Sequence, residues 1–268
     1  MKKYVTLYKE VGQTPLECAE KWRATQSPAY QEVPLAYAGR LDPMAEGRLL
    51  VLIGDECKKQ EKYHHLDKEY IFDVLLGAES DSGDVLGVIT NAGGTNIDEN
   101  VIRKKLRNMK GIISLPYPKF SAKTVQGKPL HTWTVEGRLD EIEIPLNTSH
   151  IHKLKLLDLR TKTKENIYQY VTGKIETIPK VTDERKALGN DFRRTDVRES
   201  WKEWYKTADD AYQIATIKCT ASSGTYMRSL AEEIGKQLQT TGLAYSIKRT
   251  KIGHYRKIGR VGLWTRKY

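Results

Sequence analysis

Cysteine is scarce in this 268-residue chain: Cys18, Cys57 and Cys219 are odd in number, lie far apart and form no C-x-x-C pair. Neither a disulfide framework nor a structural zinc site is expected from them. Long apolar runs are missing too. Nothing approaches the roughly 18 consecutive apolar residues of a spanning helix, and the opening MKKYVTLYKEVGQ has no apolar h-region. The sequence therefore predicts a cytoplasmic protein without membrane contact. It carries no internal repeat and no low-complexity segment. With 39% hydrophobic residues, it is long enough to bury a substantial core in one large domain or two modest ones.

Acidic residues are absent from one region. After Glu233 there is none, while Lys236, Lys248, Arg249, Lys251, Arg256, Lys257, Arg260, Arg266 and Lys267 contribute nine of the charges behind a net +11. Tyr245, His254, Tyr255, Trp264 and Tyr268 interleave with them. That mixture suits phosphate neutralisation and base stacking, so RNA or DNA is the expected partner. A solvated basic tail is the alternative reading.

Local signals place the elements. Thr14-Pro15-Leu16-Glu17 is a capping box with proline at N1, which predicts a helix from about Pro15 to Ala24 with Leu16, Cys18, Ala19 and Trp22 facing inward. EYIFDVLLG and VLGVIT read as strands, Asp98 to Met109 as a helix stopped by Gly111, and HIHKLKLLDLRTKT as a further strand. A charged stretch at 163–210 has some helical character around a looser centre and reads as an insertion. AYQIATIKCTA resumes the sheet, and TYMRSLAEEIGKQL puts Met227, Leu230, Ala231, Ile234 and Leu238 on one helical face. Strands and helices mix without strict βαβ alternation, which predicts an α+β fold.

One short stretch, YAGRLDPMAEGRLLVLIGDECK, sets Asp42 between a Gly-Arg-Leu triplet and a proline. By itself Asp42-Pro43 is ordinary turn punctuation. The stretch also resembles the catalytic loop of pseudouridine synthases. KEYIFDVLLGAESDSGDVLGVIT, PYPKFSAKTVQGKPLHTWTVEG, CTASSGTYMRSLAEEIG and IKRTKIGHY follow in the order of the TruB-type branch, so the resemblance runs from about Leu35 to Gly253. It implies the pseudouridine synthase fold, a mixed and largely antiparallel sheet flanked by helices.

The reaction that the resemblance implies converts uridine in RNA to pseudouridine, and it calls for no redox cofactor and no metal. Asp42 would supply the carboxylate, and a cation must oppose the cost of burying it. By resemblance that cation is Arg228, whose fork suits a bidentate contact. Tyr70 would stack on the extruded base near the C5 proton that must leave; as a plain residue it is an ordinary strand tyrosine. Leu41 and Ile247 would wall the pocket or serve the core. Tyr226 reads equally as a pocket hydroxyl or a core aromatic. Phe120 to Gly137 would clamp the RNA arm with Lys119, Lys123, Lys128 and His131, or be a surface hairpin. Arg249 and Arg256, from the basic end, would hold RNA.

The match has departures. Ala36-Tyr37 stands where the branch has Gly-His, Arg40 replaces a small residue and is closer to other pseudouridine synthase branches, Thr124 and His131 replace a lysine and a tyrosine, and Ser223 replaces a lysine. The segment at 163–210 has no counterpart, and no appended PUA domain is expected. The expectation is a single catalytic domain over 1–268 with a basic segment at 245–268, acting as a monomer on the T-arm uridine of tRNA conventionally numbered 55. A synthase for another tRNA or rRNA uridine and a silent tRNA-folding chaperone are the rivals.

Overall fold

The structure, a computed structural model, describes residues 1–180, 193–258 and 261–268. Arg260, expected on the basic surface, lies outside the described residues. In chain order the strands that build the site are β1 (Tyr4–Lys9), β2 (Leu35–Tyr37), β3 (Ala45–Ile53), β4 (Asp67–Leu76), β5 (Ala78–Ser80), β6 (Ile89–Ala92), β7 (Gly111–Pro116), β8 (Thr124–Val125), β9 (Lys128–Pro129), β10 (Leu146–Thr163), β11 (Ala211–Ala221), β12 (Gly242–Ile258) and β13 (Val261–Lys267). Among the described residues a nine-stranded sheet runs β1-β3-β12-β4-β11-β10-β7, with β2 added on β3 and β13 on β12. Its pairs are antiparallel except β3 with β12. This is the α+β architecture that the pattern predicts.

The long helices are α1 (Pro15–Ala24), α3 (Glu99–Asn108), α5 (Lys164–Thr177), α6 (Arg194–Thr207) and α7 (Met227–Gln237), with the shorter α2 (Glu61–His64) and α4 (Leu130–Val135) between them. Helix α1 forms where its capping box predicts: Thr14 Oγ1 accepts from Glu17 N at 3.1 Å and Glu17 Oε2 accepts from Thr14 N at 2.7 Å. A cap of this kind stabilises by about 1 kcal/mol. Cys18 and Ala19 bury as expected, but Leu16 stays 57% exposed. At about 100° per residue, Leu16 sits roughly 110° around the helix from the midpoint of those two.

The core lies between the central strands and the helices. Phe72 and Val74 on β4, Ile217 on β11 and Leu243 on β12 pack with Val171, Trp201 and Leu230, all fully buried. The stretch read as an insertion thus contributes α5 and α6 to the main core. The signal lies in spacing rather than composition: Val197, Trp201 and Trp204 recur at helical intervals within RTDVRESWKEWYKT, and each is buried. VLGVIT extends only from Ile89. Ahead of it the Asp84 carboxylate accepts from Leu86 N at 2.9 Å, and that turn withdraws the backbone from the sheet.

Candidate active site

Three neighbouring strands bring the expected residues together. Asp42 begins the turn that feeds β3, its carbonyl accepting from Ala45 N at 3.0 Å. Five residues after Asp42, Gly47, at φ +114°, faces Arg249 on β12, where an added Cβ would lie 2.3 Å from the Arg249 carbonyl. Only glycine permits that approach. Tyr70 on β4 pairs with Arg249 on one side and Cys219 on the other. Arg228 stands in the first turn of α7, whose entry bends at Gly224 with φ +88°.

Arg228 is 5% exposed, and its Nε lies 2.9 Å from Asp42 Oδ2. The contact differs from the bidentate fork expected. Nε approaches the carboxylate off the N–H axis, and the two terminal nitrogens donate instead to the carbonyls of Ser82 (3.1 Å) and Phe120 (3.2 Å). Those bonds explain how a guanidinium can be buried: its donors are occupied by fixed backbone oxygens. Burial alone would lower its pKa, but Asp42 and then Asp84 outweigh it and raise it. The cation is permanent.

Asp84 is the residue that the sequence reading passed over. Its Oδ2 lies 3.6 Å from Arg228 Nε, and the residue is 4% exposed. Burial, reinforced by Asp42 and opposed by Arg228, holds its carboxyl above the usual range. Ser82 Oγ donates to its Oδ1 at 2.9 Å. The signal was present in the quoted DSGDVLG, where an aspartate sits inside an otherwise turn-forming segment.

Tyr70 is buried, and its phenol pKa is raised by burial against the opposing pull of Arg249. Its hydroxyl is therefore neutral at neutral pH. Arg249, expected to hold RNA, is only 1% exposed. It donates to the carbonyls of Arg48 (2.7 Å), Gly39 (3.2 Å) and Arg40 (3.3 Å). A side chain so enclosed cannot reach a solvent-borne phosphate, and it braces the Asp42 turn and Tyr70 from behind.

Leu41 and Ile247 are each 5% exposed and belong to the main core cluster beside Tyr70. Tyr226 is half-buried, edge-on to Tyr117 at 5.4 Å. The segment from Phe120 to Gly137 is a short β8–β9 hairpin followed by α4. In it Lys123 is exposed over the Tyr117 ring at 5.3 Å, Lys128 pairs with Glu136 at 2.6 Å, and His131 Nδ1 lies 3.1 Å from the Ser121 carbonyl. The Arg228 bond to Phe120 ties this segment to the site. Arg40 and Arg256 are exposed. Within the basic end Lys248 pairs with Glu46 at 3.4 Å and Lys251 with Glu69 at 3.1 Å, which leaves Arg256, Lys257, Arg266 and Lys267 as its open charges among the described residues.

Among the described residues no cluster of three His, Cys, Asp or Glu is placed to hold a metal ion, and no helix is long and apolar enough to cross a membrane. What the arrangement offers is a half-exposed carboxylate fixed by a buried cation, with a neutral phenol behind it.

Residues 29–179, more than half of the chain, match the family described as TruB family pseudouridylate synthase, N terminal domain. A tRNA pseudouridine synthase B of Caldicellulosiruptor saccharolyticus is 28% identical over 82% of this chain and 58% of its own. One from Francisella philomiragia is 30% identical over 82% and 56% respectively. The chain spans little more than half the length of these curated relatives. Among solved structures, that of a Cbf5-Nop10-Gar1 complex matches with a TM-score of 0.55 at 15% identity, over 93% of this chain and 48% of the other. That likeness is one of fold.

Proposed function

The chain belongs to the TruB family of pseudouridylate synthases, and from that membership we propose that it isomerises uridine to pseudouridine in RNA, its substrate being the T-arm uridine 55 of tRNA. The observation that carries the reading is the Arg228 Nε to Asp42 Oδ2 contact of 2.9 Å, made by a buried cation to a carboxylate that remains 40% exposed. An open carboxylate beside a buried cation is held in place and can reach a substrate.

Isomerisation breaks the N1–C1′ bond, forms C5–C1′, releases the proton from C5 and leaves one on N1, so atoms and charge balance without a co-reactant. Asp42 attacks or electrostatically supports the carbon that exchanges partners. Arg228 holds it in place as the base turns. Tyr70 offers a ring face to the extruded base, and its neutral hydroxyl relays the departing C5 proton, taking it only as it gives its own to solvent. Leu41 and Ile247 keep the surroundings apolar.

Chain and site are read as one catalytic domain acting as a cytoplasmic monomer, with Lys123, His131 and Arg256 serving the RNA arm. The test is conversion of a tRNA transcript, with pseudouridine mapped by position, for wild type and Asp42→Asn. Wild type is expected to modify position 55. The variant should lose conversion while binding RNA within a few-fold, because one carboxylate adds little among many phosphate contacts. An active Asp42→Asn enzyme would remove the assignment.

A further inference from the structure

A cavity of about 420 Å³ opens beside the Asp42 turn, with Tyr37, Gly39, Arg40, Gln60, His64 and Ser223 in its lining. No carboxylate lines it. Arg40 is exposed and Tyr37 is half-buried, and although Gln60, Lys68 and Arg249 donate to the carbonyls of Tyr37, His64 and Arg40, among the described residues the side chains of Tyr37, Arg40 and His64 make no ion pair or hydrogen bond. Three recognition groups thus face one space unspent. Most other arginines near the site are committed, Arg228 to two carbonyls and two carboxylates and Arg249 to three carbonyls.

Beneath the lining lies a second cation. Lys68 is 5% exposed, and its Nζ donates to the Leu66 carbonyl at 2.6 Å and to Ser223 Oγ at 3.2 Å. Ser223 therefore carries the influence of a buried ammonium to the cavity wall. Burial, with Arg249 adding to it and Asp67 opposing, lowers the Lys68 pKa to about 8. A nearby anion would return that charge to full strength. The wall is also rigid. Arg249 pins the Arg40 and Gly39 carbonyls at 3.3 and 3.2 Å. A cationic, preorganised concavity without carboxylates fits an anion. Arg40 is two residues from Asp42, so that anion would lie next to the reacting nucleotide.

We propose that this cavity holds a backbone phosphate of the substrate RNA flanking the target uridine, gripped by the Arg40 guanidinium and the Ser223 hydroxyl with Lys68 behind it. The site rests on the isomerase reading above. It makes Arg40 and Ser223, both departures from the branch pattern, positioning residues for this chain's own RNA.

The test uses a synthetic T-arm hairpin in which each phosphate flanking the target is replaced in turn by a neutral methylphosphonate, with affinity read by fluorescence anisotropy and conversion read in parallel. One linkage should weaken wild-type binding by about tenfold, the scale of a charged hydrogen bond. Arg40→Gln, at an exposed position, and Ser223→Ala should bind the unmodified hairpin more weakly and be indifferent to that same linkage. If no linkage matters, or if the losses add independently, the proposal is overturned. If millimolar inorganic phosphate competes with the hairpin while every methylphosphonate is tolerated, the cavity takes free phosphate and the RNA assignment is likewise overturned. Coupling in binding without any conversion would keep the phosphate site and remove the isomerase; conversion without coupling would do the reverse.

Discussion

Replacing Arg228 by methionine removes the one cation that separates two carboxylates in a buried setting. Asp42 can turn toward solvent, since it is 40% exposed, but Asp84 is 6% exposed at its side chain and cannot. Breaking a buried pair by removing one partner costs about 3–5 kcal/mol. The stranded carboxyl can instead take a proton, which sets an upper limit. Measured from an ordinary unfolded pKa near 3.9 this costs about 4 kcal/mol at pH 7, part of which the wild type already bears because Asp84 lies above the usual range. The variant should therefore be up to about 4 kcal/mol less stable at pH 7 by urea denaturation.

The sign of its pH dependence follows. Asp84 already lies above the usual carboxyl range through burial and Asp42, with Arg228 opposing, so its removal lifts the value further. A raised folded-state pKa gives stability that is complete below the unfolded value and lost as pH rises through the folded one. Arg228→Met should regain stability on acidification from pH 7 to 5, by up to about 1.4 kcal/mol per unit. Arg228→Lys keeps a charge near Asp84, so it should keep most of the stability, yet it should lose more than tenfold in turnover because a point charge cannot hold Asp42 and both carbonyls together. A loss below 1 kcal/mol in the methionine variant, or an equal loss at pH 5 and pH 7, would refute the buried-pair reasoning.

Tyr70→Phe keeps the ring and should bind RNA normally with a large fall in rate, whereas Tyr70→Leu should weaken both; normal binding and turnover in both variants would reduce Tyr70 to a strand residue. Arg249→Met should cut kcat at least tenfold with RNA affinity unchanged, because the side chain is enclosed; weaker binding at constant kcat would return it to the RNA surface. Substituting glutamine at the exposed Arg256, Lys257, Arg266 and Lys267 should flatten the salt dependence of tRNA binding by about 0.9 in logarithmic slope for each duplex phosphate they neutralise. An unchanged slope would mean that these charges are only solvated.

The sequence by itself determined what local physics can write. The Thr14 capping box, the apolar runs of β4 and β11, and the Met227, Leu230, Ala231, Ile234 face each follow from neighbours within a few residues, and each stands where it was read. The motif around Asp42 marked the same turn, and its order with Arg228 named a pair that meets. What the tertiary structure decided is which of the charges are buried and by what they are held. Arg249 and Gly39 are 210 positions apart, Arg228 and Ser82 are 146 apart, and the acceptors are carbonyl oxygens. Every residue owns a carbonyl, so no letter in the chain distinguishes the one that will receive a guanidinium. Arg249 thus looked like one more cation of a basic tail, and Trp201 and Trp204 like part of a charged insertion, until the sheet closed over them. Burial is a property of the assembled fold, and it alone separates a charge that braces a site from one that meets RNA.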